Sequence, residues 1–287
     1  MSISLCVLGS GSSGNCTLVV LRDGVERQFV LIDAGLSPRR TRWLLANIGV
    51  PIDRISSIIL THLDSDHFRP TWISVAQELG IEICLHESHA ATAPFGAQRT
   101  GRLRPMNGSL RLGAKCRLRS IRLPHDEAGT FGFVIEHAGT RLGYATDLGH
   151  VPDTMLEAFR DLHALAIESN YDHELELASA RPWFLKQRVM GDHGHLSNDQ
   201  CLEAVRKIEQ QSTLSHIVLL HLSRQCNCPR IVQRMYGSRA PDLINRLTIS
   251  SQHAPTHLLH VNQAPGMGGM TGMTGDSLFS FAAADAS

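Results

Sequence analysis

Thr61-His62-Leu63-Asp64-Ser65-Asp66-His67 is the stretch on which the reading of this chain turns. Two imidazoles and two carboxylates fall within six residues, at the end of the apolar run Ile55–Leu60. That run is short and rich in β-branched residues, the pattern of a buried strand. A strand that stops in a cluster of His and Asp delivers metal ligands to a sheet edge. Imidazole together with carboxylate suits Zn²⁺, Mn²⁺ or Fe²⁺ better than Ca²⁺ or Mg²⁺. A polar loop with chance His and Asp is the plain alternative. It loses ground because partner residues recur downstream.

Those partners sit where other apolar runs stop. Asp33 follows the run 29–32, His125 follows 116–123, Asp147 follows 141–145, and His221 follows 216–220. One His after a strand is usually structural. Repetition at strand ends points to a site, because layered α/β proteins collect their chemistry on loops there. Strands are also expected at 3–8, 17–21, 81–85, 131–137, 164–167 and 257–261. Helices are expected at 38–48, 70–79, 155–162, around 172–180 and 182–190, and at 199–209 and 229–236. Residues 87–115 read as irregular. They carry Arg99, Arg102, Arg104, Arg111 and Lys115, either a solvated face or a surface for a polyanion. Gly9-Ser10-Gly11-Ser12-Ser13-Gly14-Asn15 is either a plain turn or a loop whose amides cradle phosphate. It is no Walker A loop, since no Gly-Lys-Ser/Thr follows.

Composition sets outer bounds. The 287 residues are 43% hydrophobic and 19% charged, an ordinary globular balance, and formal net charge is zero. Whole-molecule attraction to nucleic acid is therefore not indicated, and such contact would need a local basic patch. Seven scattered cysteines argue for a reducing compartment rather than a disulfide framework. Cys226-Asn227-Cys228 reads as structural or incidental. No leader pattern is visible, and no apolar run approaches the roughly 20 residues that span a bilayer. A cytoplasmic protein without membrane contact is expected. Residues 1–263 read as one domain and 264–287, rich in Gly, Met and Ala, as a disordered tail. Oligomeric state is not set by the sequence.

In this order, Asp33, the His62/Asp64/Asp66/His67 cluster, His125, Asp147 and His221 resemble the five motifs of the metallo-β-lactamase superfamily. The resemblance runs over about residues 3–262. It implies an α/β, four-layer αββα sandwich with a dinuclear metal site at one edge. Leu31-Ile32-Asp33-Ala34-Gly35, Thr146-Asp147, Ile167-Glu168-Ser169-Asn170, Gly194-His195-Leu196-Ser197-Asn198 and His221-Leu222-Ser223-Arg224, with the Gly9–Asn15 loop, are similar to the WalJ (YycJ) group of DNA-directed nucleases. That group is related to tRNase Z and the PhnP phosphodiesterase. One departure is Asp64, where the superfamily usually has His. The resulting His-x-Asp-x-Asp-His form resembles the hydrolase domain of ComEC-type proteins. A carboxylate there hardens the site and shifts preference from Zn²⁺ toward Mn²⁺ or Mg²⁺.

The resemblance implies two divalent ions, Zn²⁺ or Mn²⁺. His62, Asp64 and His125 would hold one, Asp66, His67 and His221 the other, with Asp147 bridging and Asp33 orienting the cluster. It implies catalytic roles for Asp66, Glu168 and His195, and contacts to phosphate or substrate for Ser13, Asn15 and Ser197. His193 is a weaker candidate beside His195. The expected function is a metal-dependent phosphodiester hydrolase, a nuclease acting on DNA or RNA through a metal-activated water. The alternative is a glyoxalase II-like thioester or small-ester hydrolase, which shares the fold and the metals.

Overall fold

In the computed structural model, residues 1–261 are described, and the expected tail at 264–287 lies outside them. Apolar runs buried on both faces build two sheets of seven strands each. The first holds β1 (Ser2–Gly9), β2 (Cys16–Asp23), β3 (Glu26–Ile32), β4 (Ile55–Ile59), β5 (Glu82–His86) and β6 (Leu103–Met106). The second holds β7 (Ser109–Leu112), β8 (Cys116–Leu123), β9 (Thr130–His137), β10 (Thr140–Ala145), β11 (Ala164–Glu168), β12 (His216–Leu220) and β13 (Leu247–Ile249). β14 (Leu259–Val261) returns to pair antiparallel with β1 in the first sheet.

Each sheet follows one rule. β1 to β3 and β7 to β10 are antiparallel meanders, and β3 to β6 and β10 to β13 are parallel. Parallel neighbours need crossover connections, which here carry helices onto the outer faces. In the first sheet these are α1 (Pro38–Asn47), α2 (Trp72–Leu79), α3 (Glu87–Ala90) and α4 (Phe95–Arg99). In the second they are α5 (Asp153–Ala158), α6 (His173–Ala178), α7 (Trp183–Met190), α8 (Asn198–Glu209) and α9 (Pro229–Arg239). The layers are therefore α, β, β, α, as the family resemblance implies.

Three apolar clusters hold the layers. Val30, Ile32, Phe133, Tyr144, Val218 and Leu220 meet between the sheets. Leu31 and Leu18 point the other way and pack with Leu44 and Trp72 beneath the helices of the first sheet. Leu165 and Leu219 pack with Phe159, Val205 and Tyr236 on the far side. Val30, Leu31 and Ile32 show the alternation within three residues. All are fully buried, on opposite faces of one strand.

Residues 87–115 are not irregular. They form α3, α4, β6 and β7 and carry the chain from one sheet to the other. These elements are four or five residues long, too short for periodicity to show. Arg102, Arg104 and Arg111 lie away from the His/Asp cluster. They line a cleft of about 540 Å³ with Gln28 and Arg54, at the end where β4 and β5 begin. Lys115 pairs with Asp23, and Arg104 pairs with Glu82.

The carboxyl ends of β3 and β4 are drawn together by glycine. A Cβ on Gly35 would lie 1.7 Å from the carbonyl oxygen of Asp66 and 2.8 Å from the amide of Asn15. Asn15 N donates to that same Asp66 carbonyl at 2.7 Å. Gly35→Ala forces backbone apart and is expected to cost at least about 1–3 kcal/mol, the usual range for overpacking. For a domain of this size that lowers Tm by roughly 2–4 °C per kcal/mol. Bound metal should fall with it, because Asp66 and His67 move. A thermal melt and an elemental analysis check this. An unchanged Tm would show that the loops part freely.

Candidate metal centre

Every candidate ligand stands where a strand ends. Asp33 follows β3, the 62–67 cluster follows β4, His125 follows β8, Asp147 follows β10, Glu168 closes β11 and His221 follows β12. Ligand atoms of His62, Asp64 and His125 all lie within 4.8 Å of one another, as do those of Asp66, His67 and His221. Asp147 lies between, with Oδ2 2.7 Å from His67 Nε2 and Oδ1 2.7 Å from His221 Nδ1.

The backbone is bent to make this possible. Asp33, Asp147 and His221 have φ of 61°, 52° and 54°. L-residues other than Gly rarely adopt this left-handed region, although Asn, Asp and His tolerate it best. Such outliers concentrate at functional sites. His221 is held there from both sides. Its amide donates to Ser10 Oγ at 2.8 Å, and its carbonyl accepts from Asn170 Nδ2 at 2.8 Å.

The imidazoles are also fixed in orientation. His125 Nδ1 lies 2.9 Å from the Gly194 carbonyl, which only accepts, so this nitrogen carries the proton. His67 Nδ1 bonds to Asp33 Oδ2 at 2.8 Å, and His221 Nδ1 to Glu168 Oε1 at 2.9 Å. His62 Nδ1 faces the Thr61 and Thr130 hydroxyls. All four rings are thus held through Nδ1, the arrangement metal-binding histidines adopt, while at His67 the Nε2 already meets Asp147 Oδ2 at 2.7 Å and the Asn15 amide at 2.9 Å. His221 Nε2 is buried and has no hydrogen-bond partner. An orphaned buried nitrogen costs about 1–3 kcal/mol, and a cation would satisfy it.

Charge points the same way. Asp33, Asp147 and Glu168 are buried, and buried carboxylates are rare unless paired or bound to metal. Burial works to raise Asp147, yet the His221 and His67 rings hold its carboxyl well below the usual range. Burial likewise opposes His67 and His221, but Asp147 lifts both well above an ordinary histidine. Burial, with His67 alongside, drives His62 well below it, so this ring is a neutral donor. Burial, Asp126 and Asp66 raise Asp64, which is half-exposed with Oδ2 3.8 Å from His62 Nε2. Burial works to raise Asp66, but the His221 and His67 rings together bring it below its usual value.

Glu168 is the second hub. Oε1 takes both His195 Nδ1 and His221 Nδ1 at 2.9 Å. Oε2 accepts the amides of Leu148 and Leu196. Burial alone would raise this carboxyl, but the His195 charge and these bonds bring it down to about 2. In turn Glu168 lifts His195 to about 9 against the effect of burial. His195 reaches the cavity partly exposed, with Nδ1 3.3 Å from Asp147 Oδ1.

Three sequence candidates lie elsewhere. Asn15 is buried and does not face the cavity. Its Oδ1 accepts from Gly11 N and Ser10 Oγ, and its amide lies 2.9 Å from His67 Nε2. Ser197 caps α8 in a capping box with Gln200. Ser13 is exposed and its amide bonds to Gln252 Oε1, while its neighbour Ser12 lines the cavity. The Gly9–Asn15 loop therefore holds His67 and His221 in place. Asn227, not the flanking thiols, gives Cys226-Asn227-Cys228 its use. Its side chain bridges the Ser169 and Asn170 carbonyls and Asn198. All seven cysteines are free.

A cavity of about 170 Å³ opens over the cluster. Leu185, Arg188 and Val189 of α7 wall it opposite Asp64 and Asp66, and sequence periodicity gave no sign of them. His125 and His193 are shared with a wider cleft of about 790 Å³ that runs on past Arg122 and His150.

The profile of the beta-lactamase superfamily domain matches residues 28–221. The chain belongs to this family. With that membership the chain is a metal-dependent hydrolase, and its His/Asp clusters suggest divalent-metal binding. Among curated proteins, "Exodeoxyribonuclease YycJ" of Bacillus anthracis is 28% identical over 236 residues, 81% of this chain and 87% of that one. "Exodeoxyribonuclease WalJ" of Streptococcus pneumoniae is 28% identical over 227 residues, 77% and 82% of the two chains. Among solved structures, a diphosphatase of the PhnP family superposes with TM-score 0.64 at 16% identity, covering 91% of this chain and 98% of that one. The short form of human tRNase Z gives 0.53 at 18%, covering 88% and 98%. Among the described residues, no helix is long and apolar enough to cross a membrane.

Proposed function

We propose that residues 1–263 form a metal-dependent phosphodiester hydrolase that acts as a nuclease on DNA or RNA. The observation that carries this reading is the Glu168–His195 pair beside the two His/Asp triads. The likeness to the YycJ and WalJ exodeoxyribonucleases supports it. His62, Asp64 and His125 would hold one ion, Asp66, His67 and His221 the other, and Asp147 would touch both. Zn²⁺ or Mn²⁺ bound there would lower the pKa of a coordinated water from 15.7 to about 7 and so supply hydroxide at neutral pH.

The chain's own groups do the rest. Asp33 keeps the His67 ring turned inward. Asp66, ionised and open to the cavity, orients the attacking water. Arg188 and Ser12 face the same space and can take the non-bridging phosphate oxygens. His195, held by Glu168, gives its proton to the leaving oxygen. The cleft that continues past His125 gives a polymer room on one side of the reacting phosphate. The free thiols suit a reducing compartment, and we place the activity in the cytoplasm.

The test is a nuclease assay on protein stripped of metal and reloaded with Mn²⁺, Mg²⁺ or Zn²⁺, on DNA and RNA. Cleavage restored by metal is expected. Thioester cleavage without any action on either polymer would move the chain to the glyoxalase II-like reading.

The choice of metal rests on Asp64. A harder oxygen donor favours Mn²⁺ over Zn²⁺. Asp64→His is therefore expected to raise Zn²⁺ affinity relative to Mn²⁺ in competition titrations. Unchanged selectivity would mean that the half-exposed carboxylate points to water and binds nothing.

A further inference from the structure

Helix α7 carries features that the metal chemistry does not use. Trp183 and Phe184 are 60% and 72% exposed, large aromatic faces left in water. The helix itself is seated firmly. Val189 is buried, and buried Lys186 donates Nζ to the Leu177 carbonyl at 2.5 Å. The Val189 carbonyl accepts the amide of His195 at 2.8 Å, so α7 is tied to the proposed proton donor. Leu185, Arg188 and Val189 form its cavity face. Phe184 precedes Arg188 by four residues, so the two lie on one stripe, about 6 Å apart along the helix. That is the scale separating a base from its own phosphate. α7 bears Lys186 and Arg188 and no acidic residue.

We propose that Phe184 and Arg188 form a nucleotide-reading rim of the active site. Arg188 takes a phosphate at the cavity mouth, and Phe184 stacks on the adjoining unpaired base. The inference rests on the nuclease reading and adds to it the substrate form, a single strand. A positively charged groove with an aromatic platform is how proteins hold single strands without reading sequence, since every base offers a flat face. Charge favours this occupant over a second protein chain. The aromatic face runs on to Arg188 at the cavity, and α7 carries no acidic residue, so a phosphate-bearing strand complements it.

The experiment uses the full chain loaded with metal and two oligomers of equal length and charge. One is oligothymidylate, the other a strand of abasic tetrahydrofuran units. Phe184→Ala is expected to raise KM on oligothymidylate by about 5- to 150-fold, the usual loss when one base is unstacked. The rise on the abasic strand should be several-fold smaller, and kcat should move less than KM. Phe184→Tyr should restore the low KM, and Phe184→Leu should not. Arg188→Gln should raise KM on both strands alike. Rescue by Leu, equal loss on both strands, or no loss would overturn the platform while leaving the nuclease reading intact. A shift in sedimentation of Phe184→Ala with KM unmoved would assign the face to a protein contact instead. If the wild-type chain cuts neither strand but cleaves thioesters, the nuclease reading falls and this inference falls with it.

Discussion

Asp147→Ala is expected to release at least one metal equivalent and to reduce hydrolysis to background. Asp147 is the one carboxylate placed between the two triads, 2.7 Å from both His67 Nε2 and His221 Nδ1. It is buried, so water cannot replace it cheaply. It also sets the charge of its neighbours, since His67 and His221 are raised by its proximity despite burial. Removing it leaves two buried rings and a cation site without their shared anion. The backbone adds a second cost. Asp147 has φ 52°, and a Cβ residue without a local hydrogen bond pays about 1–2 kcal/mol in that region. Asp147→Asn separates the two effects, because Asn tolerates the left-handed region and keeps the shape while losing the charge. Loss of metal in both variants, measured by elemental analysis on folded protein, is the expected result. Full metal content with full activity in either one would end the assignment of Asp147 as a bridge.

Much of this site is visible in the sequence because of where strands stop. Ile55–Ile59 and His216–Leu220 are largely buried on both faces, so their ends are sharp and the first His or Asp beyond each follows within three residues. Parallel neighbours then bring those ends to one edge, and the order Asp33, His62–His67, His125, Asp147, His221 follows. What periodicity does not carry is which way a loop faces. Ser12 and Ser13 are equal in sequence, yet only Ser12 lines the cavity. Asn15 looks like a phosphate donor in a glycine loop but is consumed by Gly11 and His67. The Arg99–Lys115 stretch is close to the His/Asp cluster in the chain and distant from it in the fold, because β5 and β6 carry Arg102 and Arg104 to the far end of the sheet. Arg188 shows the converse. As a helix charge it reads as solvated, and only the packing of α7 turns it toward the His/Asp cluster. The left-handed conformations of Asp33, Asp147 and His221 have no sequence signature beyond residue types that tolerate them.

His195→Ala is expected to lower kcat on a phosphodiester by about 10²–10⁴-fold with metal content intact, the range of a general-acid contribution. The geometry explains why metal should stay. Glu168 Oε1 binds His221 as well as His195, and its other oxygen is fixed by two amides. Loss of the His195 ring therefore leaves His221 oriented. What is lost is a proton at the cavity, which Glu168 keeps on His195 by raising its affinity to about 9. A sugar alkoxide leaves poorly without that proton, whereas nitrophenolate leaves without help. The deficit should accordingly shrink on a nitrophenyl phosphodiester assayed under the same conditions. Glu168→Gln should resemble His195→Ala on the natural leaving group and also weaken metal binding, because it loosens His221. An equal loss on both substrates would make His195 a positioning residue, and the proton would then have to come from solvent.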